Sequence, residues 1–111
     1  MAALERDQDL LESVLCGFAR SYADAGRLRT LTVFDRERGQ FLLMNEGWDG
    51  YKHIEQVWVH VEFRDGKFWV QQDGTREGVA VELVNAGIPR ERIVLGFLHP
   101  ARRRDTEFAA A

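Results

Sequence analysis

The residues with the most chemical potential here are three histidines, one cysteine and a scatter of carboxylates, and their spacing decides what each can do. His53 and His60 lie seven apart on one extended stretch, so strand alternation sends them to opposite faces. Without a bulge between them they cannot share a metal. His99 is remote in sequence, and no cysteine cluster or H-E-x-x-H helix adds ligands, so no metal site is expected. His60-Val61-Glu62 matches the H-x-E of zinc deaminases, but that chemistry also needs P-C-x-x-C, and Cys16 is the only cysteine. Asp65-Gly66-Lys67 resembles half of a metal-dependent nuclease site. Asp-Gly is also the preferred pair of a two-residue hairpin turn, and that use accounts for both residues. Gln72 to Gly78 is a glycine-bearing segment that opens a helix, yet it has neither G-x-x-x-x-G-K-[ST] nor G-x-G-x-x-G. Cys16 has no identifiable basic activator and falls off the apolar stripe of its helix, so it reads as a bystander. No catalytic set and no cofactor are expected.

Any site must be positioned by a small number of elements, because the chain has 111 residues, the size of one domain, 1–111. Hydrophobic residues make up 45% of it, enough for a core without a disulfide or metal staple. Eighteen acidic against 15 basic side chains give a net charge of −3, which opposes nucleic-acid binding by bulk charge. No apolar run approaches a membrane span and the N-terminus lacks the pattern of a signal peptide, so a cytoplasmic protein with no membrane contact is expected.

Leu4, Leu11, Val14, Leu15, Phe18 and Tyr22 recur at helical spacing, with Gly26 as the stop. Thr30 to Asp35 and Gln40 to Asn45 read as strands, and Gly47-Trp48-Asp49-Gly50 as the loop after them. Ile54 to Gln72 is a hairpin about Asp65-Gly66, placing Phe63 opposite Phe68, Val61 opposite Val70, Glu62 opposite Trp69 and His60 opposite Gln71. One face then carries Val57, Val59, Val61, Phe63, Phe68 and Val70 as core. The other carries Trp58, His60, Glu62, Trp69 and Gln71, a polar and aromatic mixture suited to protein contact. Thr75 is the expected cap of a second helix with Val79, Ala80, Leu83 and Val84 inward, ended by Gly87 before Pro89. Ile93 to Gly96 forms a fifth strand. A solvent-exposed tail would have little need of an aromatic, so Phe108 is expected to dock, with Arg103 paired to a carboxylate of the sheet and Arg102 and Arg104 facing solvent. The fold class is α+β: an antiparallel sheet of about five strands with two packed helices.

Several motifs in fixed order are specific enough to carry a resemblance. Asp65-Gly66-Lys67-Phe68-Trp69-Val70-Gln71-Gln72-Asp73-Gly74-Thr75, with Gly78 and Ala80 behind it, resembles the XisI-like family, the fdxN element excision controlling factors. So do Ala86-Gly87-Ile88-Pro89 with Ile93-Val94-Leu95-Gly96-Phe97, the ending Pro100, Arg103, Thr106, Phe108 and Ala109, and the upstream Phe34-Asp35, Glu37-Arg38, Phe41, Leu43 and Gly47-Trp48. The resemblance implies a non-enzymatic accessory protein acting through protein contacts in regulated DNA rearrangement. Its implied partners are a companion excision controlling factor and a site-specific recombinase complex; no catalytic residue is carried over. The residues themselves favour a homo-oligomer built on Trp58 and Trp69, with His60 and Glu62 fixing orientation. The alternative is direct DNA or RNA binding through Arg102, Arg103 and Arg104 together with the sheet aromatics.

Overall fold

The computed structural model describes residues 3–22 and 27–111, so the expected helix stop at Gly26 lies outside the described residues. Helix α1 spans Ala3–Ser21, and Leu11, Leu15 and Phe18 of its apolar stripe are buried, while Leu4 at its start is exposed. Strands β1 (Leu28–Asp35), β2 (Gln40–Asp49), β3 (Lys52–Arg64) and β4 (Lys67–Asp73) form an up-and-down antiparallel meander. Helix α2 (Val79–Asn85) crosses back, a single 3-10 turn at Arg90–Arg92 follows, and β5 (Ile93–Leu95) adds to the sheet in the order β1-β2-β3-β4-β5. A four-residue helix α3 (Pro100–Arg103) begins the tail. The architecture is α+β, with both main helices on one side of a five-stranded sheet.

β5 pairs with β4 in parallel, Phe68 against Ile93 and Val70 against Leu95, so the sheet is mixed rather than wholly antiparallel. The reason is the helix between them: a crossover returns the chain to the same end of the sheet, where a tight turn would reverse it. α2 starts at Val79, four residues after the expected cap. Asp73 does the capping, its Oδ2 accepting from the Val79 N–H at 2.8 Å and its Oδ1 from the Thr75 N–H at 2.9 Å and hydroxyl at 2.7 Å. Thr75 Oγ1 accepts from the Gly78 N–H at 2.9 Å, so the threonine shapes the approach turn. Gly47 and Trp48 are strand residues, paired with Ile54 and His53, and the real turn is Gly50-Tyr51.

The Asp65-Gly66 hairpin is as read. Both residues have positive φ, 55° and 75°, and Phe63 faces Phe68 with rings 5.0 Å apart. Gly66→Ala should therefore cost about 1 kcal/mol in a denaturant titration, from the left-handed backbone alone. Nothing lies near the added methyl group.

Two bulges rearrange what the alternation of β3 suggests. Leu43 pairs with Val59 and Met44 with Val57, so Trp58 is an extra residue opposite β2. The extra residue turns Trp58 to the core side beside Val59 and sends Val57 to the other face. Trp58 is 8% exposed and its ring centroid lies 5.2 Å from that of Tyr22. A second bulge makes His60 pair with Gln72 rather than Gln71. The core then comprises Leu11, Leu15 and Phe18 of α1, Phe41, Leu43, Trp58, Val59, Val61, Phe68 and Val70 of the sheet, and Val79, Ala80, Leu83, Ile88 and Ile93.

Polar clasps hold the layers in register. Arg92 reaches Asp7 of α1 at 2.6 Å and donates to the Gly66 carbonyl at 2.8 and 3.0 Å, joining three distant segments. Tyr22 donates its hydroxyl to Glu77 and accepts from the Arg76 N–H at 2.8 Å. That hydroxyl is the main reason the Glu77 carboxyl is held below the ordinary glutamate value. A lowered carboxyl stabilises the fold above its unfolded value, about pH 4.3, and loses that contribution as pH falls through the folded value. Tyr22→Phe should thus melt below wild type at pH 7, with the gap narrowing as a series of melts descends toward pH 3.

Candidate functional site: the outer face of the sheet

The face opposite the helices carries a polar chain at one end and an apolar field at the other. His60 Nε2 meets Gln40 Oε1 at 2.6 Å, and the Gln40 amide donates to Glu62 Oε2 at 3.1 Å. Glu62 Oε1 accepts from Gln71 and from Arg64, both at 3.3 Å. Three donors around one carboxylate fix its orientation and that of the side chains linked to it. Beside it Leu31, Leu42, Met44 and Val57 are half-buried and Val33 is 43% exposed, all on the outer side by register. Among the described residues both main helices pack on the opposite side.

Of the five residues expected on one contact face, His60, Glu62, Trp69 and Gln71 share the outer side and Trp58 does not. The bulge at Trp58 is the physical reason. Trp69 is on the outer side but only 9% exposed, since Arg64 lies over its ring at 4.0 Å and Arg103 at 5.6 Å. A contact patch exposing two tryptophans is therefore absent, and the apolar field lies one to three strands away. Sequence reasoning missed Leu42, Met44 and Val57; the run Phe41-Leu42-Leu43-Met44, apolar at consecutive positions and so on both faces of a strand, was the available signal.

The arginine run also divides. Arg103 donates to the Leu98 carbonyl at 3.0 Å and the Gly96 carbonyl at 3.2 Å, so it anchors the tail through main chain rather than through a carboxylate. Two of its five N–H donors are thereby committed to the tail's own backbone. Arg102 and Arg104 are exposed. Phe108 packs on the core, and the Ala109 N–H donates to the Ile93 carbonyl at 2.8 Å, docking the tail along β5. Arg103→Ala should cost about 1.5–2 kcal/mol and raise iodide quenching of tryptophan fluorescence, while Arg102→Ala leaves both near wild type.

The same bulge puts His53 and His60 on one face, where they bond separately, His53 to Glu46 at 2.7 Å. Among the described residues no group of three metal-capable side chains converges. A shallow cleft of about 240 Å³ between α1 and α2, lined by Val14, Gly17, Phe18, Ser21, Glu77 and Glu82, is smaller than the usual ligand pocket. No helix among the described residues is long and apolar enough to cross a membrane.

The site is thus a sheet face left open opposite two helices, its His60-Gln40-Glu62-Gln71 chain internally hydrogen bonded while the buried indole N–H groups of Trp58 and Trp69 find no partner among the described residues. Comparison gives this fold its family. The XisI protein family model matches residues 1–110, and the chain belongs to that family. A XisI-like protein from Anabaena variabilis ATCC 29413 is 35% identical, with a TM-score of 0.90 over 97% of this chain and 99% of its own. The fdxN element excision controlling factor XisI from the same organism is 31% identical, with a TM-score of 0.81 over 97% of this chain and 98% of its own. No match was found among curated proteins.

Proposed function

We propose that this chain is a non-enzymatic accessory protein in regulated site-specific DNA rearrangement, acting in the cytoplasm through contacts with a companion controlling factor. The observation that carries the reading is the contiguous apolar field of Leu31, Val33, Leu42, Met44 and Val57 on the side of the sheet away from the helices, with Val33 exposed and the other four half-buried. Kinship with an excision controlling factor supports the setting. A recombinase complex would be engaged through the companion, and a homo-oligomer belongs to the same reading. The test is co-purification with the companion factor by wild type and by Leu42→Lys/Met44→Lys, with circular dichroism confirming the fold. Loss of association in the folded variant supports the face. Full association in the variant removes the face, and none in wild type removes the companion.

A second reading rests on the exposure of Arg102 and Arg104. Two phosphate contacts would give nucleic-acid affinity falling with a log–log salt slope of about −2. A gel-shift titration at low salt with single- and double-stranded DNA checks it, and no shift there ends it.

A further inference from the structure

We infer that the exposed edge of β1 pairs antiparallel with β1 of a second copy, with Thr32 on the two-fold axis. This deepens the self-association within the proposed function and rests on it.

The two edges of the sheet are treated differently. β5 is three residues long and the tail lies along it, with Ala109 bridged to Val94 and hydrogen bonded to Ile93. β1 is eight residues long, and its pairing with β2 contains no bulge. Leu28-Arg29-Thr30-Leu31-Thr32-Val33-Phe34-Asp35 has no proline and no lysine, the devices that usually blunt a free edge. Thr32 and Val33 point to opposite sides of the sheet at mid-strand, and both are exposed. That exposure leaves the middle of the edge uncovered among the described residues.

The sequence of the strand is complementary to itself in one register. With Thr32 opposite Thr32 of the second copy, Arg29 stands opposite Asp35 and Leu31 opposite Val33, and each pair occurs twice. Arg29, Leu31, Val33 and Asp35 all lie on the outer side, because Leu31 pairs with Met44 and Val33 with Leu42. Arg29 keeps 67% of its side chain exposed beyond its bond to Glu46, so it is available to a second carboxylate. A slip of two residues would set Arg29 against Val33 or place it beyond the strand end, so charge fixes the register. The paired edges make one ten-stranded sheet whose two outer apolar fields meet across the axis.

The experiment combines mass with cross-linking in a Cys16→Ser background. Light scattering should give twice the 12.8 kDa chain mass. Val33→Lys, which places an ammonium in the apolar pair, should give a monomer with unchanged circular dichroism. Thr32→Cys should form a disulfide-linked dimer under mild oxidation, since directly opposed strand residues have Cα atoms about 4.5–5.5 Å apart. Thr30→Cys should not, being about 13 Å from its own copy in this register. A wild type that stays monomeric at high concentration overturns self-association and edge pairing together. A dimer that survives Val33→Lys, with no cross-link at Thr32→Cys, overturns the edge alone and leaves self-association standing.

Discussion

Trp58→Ala is expected to lower stability by about 3–5 kcal/mol, the range for emptying a buried aromatic site. Trp58 lies under the end of α1 against Tyr22, and its carbonyl accepts from the Gly74 N–H at 2.7 Å. It thus fills the junction between α1, the sheet and the turn leading to α2. For a domain of this size such a loss is a large share of the total, so a urea titration should show a much lower midpoint or no native baseline. Trp58→Phe keeps a ring in the hollow and should lose less than alanine does. A tryptophan on an open sheet face would instead change stability by only about 0.5 kcal/mol when truncated. Measuring the alanine variant near wild type would return Trp58 to the outer face.

Gly39→Ala is expected to cost about 2–4 kcal/mol, from two effects that add. Gly39 has φ of 69°, and a Cβ there would overlap the carbonyl oxygen of Phe63, with its carbonyl carbon 3.4 Å away. The glycine carbonyl accepts from the Phe63 N–H at 2.8 Å, so β3 cannot retreat without losing that bond. Gly66 shares the positive φ and has open space around it, which makes Gly66→Ala the internal reference. The difference between the two variants isolates the close approach. Equal losses would mean that β3 gives way freely.

These expectations show where sequence patterning succeeded and where it stopped. The helical stripe of α1, the Asp65-Gly66 register as far as Val61 opposite Val70, the fifth strand and the docked Phe108 all follow from periodicity, turn chemistry or the family pattern. The bulges do not. One extra residue in β3 reverses alternation beyond it, and Val57-Trp58-Val59 contains no glycine or proline to announce it. The parallel pairing of β5 was more accessible, since strand, helix and strand in succession imply a crossover. For the candidate site, His60, Glu62 and Gln71 were legible from alternation. The apolar field was not, because its members come from β1, β2 and the reversed part of β3, and only the register brings them together. Arg103 was identified as the anchor, but main-chain carbonyls as its partners have no signature in residue types.

The strictly sequential order of the first four strands has a consequence for how the chain reaches this structure. Each hairpin of the meander closes a loop of only a few residues, so its pairing has little entropy to overcome. Two contacts at α1 are of another kind: Asp7 meets Arg92 across 85 positions, and Tyr22 meets Glu77 across 55. Neither partner surface exists until the meander has formed and the crossover has been laid down. These two clasps are therefore expected to close late in folding, after the shorter-range bonds of Arg36 to Asp9 and Glu12. Weakening them is then expected to speed unfolding more than it slows folding, so they bear on how long the native state persists rather than on how fast it is found.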